Sequence, residues 1–249
     1  LLLGGKGTDF IDGQQGNDVA SLGAGNDTFQ WDPGDGNDVV EDTASDNESS
    51  IRDTLNFGTG ISASDLIFSN VANQWNTISV GLTDQSGSVL LRYQNNGDSG
   101  VESINFIDGS SWNLAQIMAR YVSVQQTAGS DLIHGSNLAD TVQAGSRNDT
   151  VITGGGDDAI EGGLGDDDLQ GGAGADTYIY NLGDGDDIIT DSDSSSEASV
   201  KDRLVFGAGI SAGNIFFSPA GESRRSLRIS FSGAAGSVTI INQDPSNAG

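Results

Sequence analysis

The chain has 249 residues and a formal net charge of −26 at neutral pH, which excludes nucleic acid and anionic membrane surfaces as partners, because both need a basic face. It has no cysteine, so disulfides and thiolate metal sites are excluded, and no apolar run approaches the eighteen or so residues of a membrane-spanning helix. The acid is lopsided, 30 Asp to 6 Glu, and stands beside 37 glycines; short Asp side chains suit turns and hard-cation ligation, and a chain so rich in glycine is costly to order by apolar burial alone.

From the N-terminus, nine-residue units follow one another: GGKGTDFID, GQQGNDVAS, LGAGNDTFQ and, after the insertion Trp31-Asp32, PGDGNDVVE. Each approaches the pattern G-G-x-G-x-D-x-U-x, with U a large apolar residue. The sixth position carries Asp9, Asp18, Asp27 and Asp38, and Leu2 fills the apolar slot of a truncated earlier unit. After Glu41 the composition changes. DTASDNESS reads as a polar loop, and from Asp53 alternating apolar residues such as Ile78, Val80 and Leu82 predict half-buried strands between Gly, Asn and Ser turns. Leu114, Ile117, Met118 and Tyr121 stand at helical spacing and predict a short helix over 114–121.

A second repeat block follows: QTAGSDLIH, GSNLADTVQ, AGSRNDTVI, TGGGDDAIE, GGLGDDDLQ, GGAGADTYI and, after the insertion Tyr180-Asn181, LGDGDDIIT. Its aspartates are Asp131, Asp140, Asp149, Asp158, Asp167, Asp176 and Asp187. DSDSSSEAS is again a polar loop, and DRLVFGAGISAGNIFFS then repeats DTLNFGTGISASDLIFS at an offset of 202 − 53 = 149. Trp31 maps to Tyr180, Asp38 to Asp187 and Phe57 to Phe206 at the same offset. The chain is therefore one module written twice. We expect a repeat block over 1–42, a β-rich cap over 43–125, a second block over 126–191 and a second, truncated cap over 192–249. Because the chain starts inside a repeat, a piece of something longer is expected.

Aspartates nine apart fall on opposite sides of a flattened coil, and those eighteen apart stack on one side. Stacked turns then offer carboxylates and backbone carbonyls to Ca²⁺, which takes six to eight oxygens. The expected pairs are Asp9 with Asp27, Asp18 with Asp38, Asp131 with Asp149, Asp140 with Asp158, Asp149 with Asp167, Asp158 with Asp176, and Asp167 with Asp187. Gly5, Gly7, Gly23, Gly25, Gly154, Gly156, Gly163, Gly165, Gly172 and Gly174 permit positive φ and close approach of carbonyls in the turns. Several bound calcium ions are expected. The soundest sites lie between Gly154 and Asp176. Leu138 and Arg147 replace a turn glycine, so sites between Gln126 and Arg147 are expected to be missing or distorted, and Gln14 and Gln15 raise the same question at Asp18.

GGKGTDFID, GGLGDDDLQ and GGAGADTYI match the nonapeptide in full, and the pattern resembles the RTX (repeats-in-toxin) family of haemolysin-type calcium-binding repeats. The segments beginning DTLNFGTGIS and DRLVFGAGIS resemble the calcium-binding-related region found beside such repeats. The resemblance implies an all-β chain of two right-handed parallel β-rolls, each followed by a β-rich capping segment, with one short helix in the first cap. It also implies a secreted bacterial protein exported by type I secretion, and a module that folds on calcium after export. A polysaccharide- or surface-binding module of an adhesin or carbohydrate-active enzyme is the alternative.

The other signals have plainer readings. GISAG at 209–213 matches a nucleophile-elbow pattern, but the single histidine, His134, lies upstream in a repeat strand. No catalytic constellation emerges, and the chain reads as a non-enzyme. Asp166 and Asp168 read as solvated residues or outer ligands, Trp75 and Trp112 as core, and the basic cluster Arg224, Arg225 and Arg228 as a solvated loop. Asp53 and Asp202, each ahead of a Leu-x-Phe strand or its like, either complete the last calcium site of their block or cap a turn.

Overall fold

The computed structural model describes residues 1–42, 52–71, 74, 76–84, 87–94, 100–191, 201–220 and 226–241. The polar loops expected after Asp42 and Asp191, Trp75, Arg224 and Arg225 lie outside the described residues. Two units make up the chain, Leu1–Val124 and Gln125–Gly249.

The first unit comprises β1 (Leu2–Lys6), β2 (Phe10–Asp12), β3 (Val19–Ala24), β4 (Thr28–Trp31), β5 (Asn37–Glu41), β6 (Thr54–Phe57), β7 (Leu66–Asn70), β8 (Thr77–Leu82), β9 (Ser88–Arg92), β10 (Ser103–Asn105), β11 (Ser111–Asn113) and α1 (Leu114–Gln125). Odd and even repeat strands part into two sheets. One runs β1-β3-β5-β9-β8-β7 and the other β11-β10-β6-β4-β2. Repeat strands pair in parallel with a shift of eighteen residues, Leu2 with Ala20 and Phe10 with Thr28. The insertion Trp31-Asp32 stretches the next step to twenty, Val19 with Val39.

The second unit comprises β12 (Leu132–His134), β13 (Thr141–Ser146), β14 (Thr150–Gly155), β15 (Ala159–Leu164), β16 (Asp168–Ala173), β17 (Thr177–Tyr180), β18 (Asp186–Thr190), β19 (Arg203–Phe206), β20 (Ile215–Pro219), β21 (Leu227–Phe231) and β22 (Ser237–Ile241). Its sheets run β12-β14-β16-β18-β22-β21-β20 and β13-β15-β17-β19. The eighteen-residue step recurs in Val142 with Ile160 and Ile160 with Tyr178.

Because each unit sends its eighth residue inward, the interior fills as two apolar ladders. Ile133, Val142, Val151, Ile160, Leu169, Tyr178 and Ile189 are all buried. Ile11, Ala20, Phe29 and Val40 do the same in the first unit. Each such side chain taken from water contributes about 1.5–3 kcal/mol, less for the small Ala20. The caps extend the sheets of the repeats. Beyond β5, β9 adds in parallel at Asp38 with Val89, and beyond β4, β6 adds at Phe29 with Leu55.

The helix runs four residues past the predicted end at Tyr121, because Val122 and Gln125 continue the buried stripe. Its start is set by a reciprocal cap: Asn113 Oδ1 accepts the Gln116 N–H and Gln116 Oε1 accepts the Asn113 N–H, both at 3.0 Å. Trp112 is core, as expected, with the Arg120 guanidinium 3.9 Å above its ring centre.

Candidate metal centre

Where one coil stacks on another, a strand ends in a turn that a side chain would block. Gly163 has φ +91°, and a Cβ built on it would collide with the carbonyl oxygen of Gly145, eighteen residues earlier. Gly172 and Gly174 stand the same way over Gly154 and Gly156, and Gly23 and Gly25 over Gly5 and Gly7. All ten turn glycines named from the sequence have positive φ, from +91° at Gly163 to +149° at Gly165. The first glycine of a unit has a different neighbour. A Cβ on Gly162 or Gly171 would strike the carboxylate of Asp167 or Asp176, the aspartate of its own unit.

The aspartates stack as the spacing requires. The Asp149 N–H donates to Asp167 Oδ1 at 2.8 Å, Asp140 to Asp158 at 2.8 Å, Asp158 to Asp176 at 2.9 Å and Asp131 to Asp149 at 2.8 Å. Asp167 reaches Asp187 across the insertion at 3.1 Å, and Asp9 and Asp18 reach Asp27 and Asp38 at 2.8 Å each. The structure thus brings together all seven expected pairs. Asp53 and Asp202 are rungs of the same ladders, accepting from the Asp27 and Asp176 N–H groups.

One carboxylate oxygen is thereby used and the other is left. Oδ2 of Asp9, Asp149 and Asp167 is enclosed without a hydrogen-bond partner. Burial dominates the electrostatics: it pushes Asp158 up to about 7, Asp167 to about 6 and Asp187 to about 7, against the pull of the backbone N–H each accepts. Burial likewise raises Asp38 and Asp149, and repulsion from Asp18 and Asp131 respectively adds to it. The ion pairs Arg92–Glu41 and Arg228–Asp186 lie outside this ladder. Stacked, buried carboxylate oxygens beside turns whose glycines stand over backbone carbonyls fit a hard cation such as calcium.

The first turns of the second block differ. Ser136 occupies a glycine position, and its N–H donates to Asp140 Oδ2 at 2.7 Å. Leu138, whose N–H donates to Ser136 Oγ at 3.1 Å, is not left-handed. Thr127 does the same for Asp131, its N–H on Oδ2 and its hydroxyl on Oδ1, both at 2.6 Å. Here the turn's own side chains take the oxygens that stay free further along. Arg147 and Gln14 instead adopt the glycine-like φ, +79° and +56°.

Two features escaped the sequence reading. The fifth residue of the unit forms a second ladder running the opposite way: the Asp166 N–H donates back to Asn148 Oδ1, and the Asp186 N–H to Asp166 Oδ1. The signal was present, since Asn17, Asn26, Asn37, Asn148, Asp157, Asp166 and Asp186 all hold that place. Glu102 is the other. Its Oε2 accepts the Asp53 N–H at 2.6 Å, and ESINF repeats the pattern of DTLNF. Of the minor signals, His134 is half-buried in β12, where burial lowers its pKa, and Ser211 of GISAG precedes a single 3-10 turn, Ala212–Asn214.

The RTX calcium-binding nonapeptide repeat family (4 copies) matches residues 1–29 and, in overlapping copies, 127–151, 134–169, 143–178 and 152–189. Both blocks are RTX repeats. Such repeats bind calcium, and the stacked aspartates Asp9, Asp18, Asp27, Asp131, Asp140, Asp149, Asp158, Asp167, Asp176 and Asp187 lie within the matched residues. Among solved structures, the extracellular lipase LipA from Serratia marcescens is 18% identical, with 95% of this chain and 38% of the lipase chain covered at a TM-score of 0.27. The chain thus spans well under half of that lipase's length. No curated protein matches it. No described helix is long and apolar enough to cross a membrane.

Proposed function

We propose that this chain is a calcium-dependent folding module of a larger secreted bacterial protein, exported unfolded by type I secretion and ordered outside the cell. It does no chemistry of its own. The observation that carries the reading is the pair of stacked, buried carboxylates Asp149 and Asp167, each with one oxygen enclosed and unpartnered. Buried carboxylates stacked eighteen residues apart repel one another and lose their water, so the calcium-free fold carries a penalty that bound positive charge removes. Calcium that binds only the native turns adds its binding free energy to folding, at concentrations of about 10⁻⁴ to 10⁻³ M typical of extracellular modules.

The ligands are the repeat aspartates Asp9, Asp18, Asp27, Asp38, Asp149, Asp158, Asp167, Asp176 and Asp187 with the turn carbonyls beside them. Asp131 and Asp140 serve as the weaker members, being engaged by Thr127 and Ser136. The test is circular dichroism and thermal melting with and without a chelator. The β signal and a cooperative melt are expected only with calcium, and a fold indifferent to chelator overturns the reading.

A further inference from the structure

Where the first residue of a unit is glycine, a Cβ there points into the carboxylate of its own unit, as at Gly162 toward Asp167 and Gly171 toward Asp176. Where each repeat block gives way to its cap, the chain puts an aspartate at that place. Asp42 follows β5 and Asp191 follows β18, 149 residues apart. The matching sixth-position residues of those turns are Asp53 and Asp202, fixed by the pairing of Thr54 with Thr28 and of Arg203 with Thr177. Aspartate at the first position therefore adds a carboxylate to the very spot where the repeats have none.

The second unit brings three of these carboxylates together. One oxygen each of Asp176, Asp191 and Asp202 lies within 4.8 Å of the others. The Tyr178 hydroxyl donates to Asp191 Oδ2 at 3.1 Å, and Asp202 lies against the same carboxylate. In the first unit Asp42 is 4% exposed, Asp53 1% and Glu102 5%. Oδ2 of Asp53 and Oε1 of Glu102 have no hydrogen-bond partner. The charge of Asp42 bears on both of them, and Asp53 also feels Glu102 and Asp27.

We propose that each unit holds one more divalent cation, calcium in class, at the edge of the nonapeptide repeats: on Asp27, Asp42, Asp53 and Glu102 at the first block-to-cap junction, and on Asp176, Asp191 and Asp202 at the second. The choice of ion rests on the calcium reading of the repeats, but Asp42, Asp191 and Glu102 belong to no nonapeptide. In the first unit the ion joins groups far apart in sequence. Glu102 rides just ahead of β10, and its N–H donates to the Asp53 carbonyl at 3.0 Å, so the site is complete only when that cap strand has docked. The junction ion therefore latches the cap to the repeats.

The test counts calcium ions on the full chain by native mass spectrometry, with calorimetric titration alongside. Asp42→Gly and Asp191→Gly restore the residue that the repeats accommodate at this position. Each should carry one ion fewer than the parent, and the double variant two fewer, with the calcium-induced β signal kept. The affinity for the lost ion should fall about tenfold or more, as ligand charge count dictates. Glu102→Gln should lose the same ion as Asp42→Gly, without additivity, and it reports on that ion if Asp42→Gly does not fold. Asp158→Asn is the control for the repeats: if it binds as many ions as the parent, the calcium reading of the repeats fails. If Asp158→Asn loses ions while Asp42→Gly, Asp191→Gly and Glu102→Gln keep them all, the junction sites are overturned. Junction variants that keep every ion and melt higher in chelator mark carboxyls sharing protons, which also overturns them.

Discussion

An aspartate in this chain has two oxygens with two tasks. Oδ1 of Asp167 holds the Asp149 N–H, while its Oδ2 stays unpartnered. Asp167→Asn should therefore keep much of the ladder but raise the calcium concentration for half-folding about tenfold or more, read by circular dichroism titration. Asp131→Asn should shift it far less, because Thr127 already engages that carboxylate. Asp158→Ala and Asp167→Ala should be the most damaging aspartate truncations, since each residue is shared between successive turns. Glycine makes a sharper contrast. Gly163→Ala forces a left-handed alanine onto the Gly145 carbonyl and should cost more than about 2 kcal/mol. Gly183→Ala, with φ +101° and open space around it, should cost about 1–2 kcal/mol. Equal losses in the two would disprove the packing argument.

At the scale of elements, the caps are continuations of the repeats rather than lids laid upon them. β6 and β9 extend the two sheets of the first unit, and β19 and β22 those of the second. The cap phenylalanines divide accordingly. Phe57 and Phe68 are buried, Phe57 stacked on Phe106 and Phe68 tilted against Trp112. Phe206 is half-buried between Tyr180 and Phe231, whereas Phe216 and Phe217 are 55% and 66% exposed. Phe217 is the duplicate of Phe68, so its exposure follows from its surroundings: the Trp112 hairpin that covers Phe68 packs within the first unit. Removing the helix cap by Asn113→Ala should cost about 1 kcal/mol in a melt at saturating calcium and leave the number of bound ions unchanged.

For the molecule as a whole, acid and calcium should replace one another. In the calcium-free fold, burial raises Asp158, Asp167 and Asp187 to about 6–7 and Asp53 to about 8, from ordinary values of 3.8. A raised carboxyl favours the fold while protonated, so this stability is fully present below about pH 4 and is lost as pH rises through 6 to 8. With chelator, β structure should therefore appear on acidification toward pH 4 and vanish by pH 8, where calcium restores it. A chain that stays unordered at pH 4 would contradict this. The nine-residue period is written in the sequence, an aspartate and an apolar residue in each unit, and from it follow two sheets, two ladders and aspartates stacked eighteen apart, because repeat geometry is local and each coil contacts only its neighbours. The sequence also singled out Leu138 and Arg147 where the repeats carry glycine; Leu138 leaves the left-handed region, whereas Arg147 keeps it at φ +79°. The ends of the ladders were decided only by tertiary structure. Glu102 reaches Asp53 through a strand pairing across 49 residues, and Asp42 and Asp191 gain their meaning from which coil lies beneath them, a contact that no nine-residue window contains.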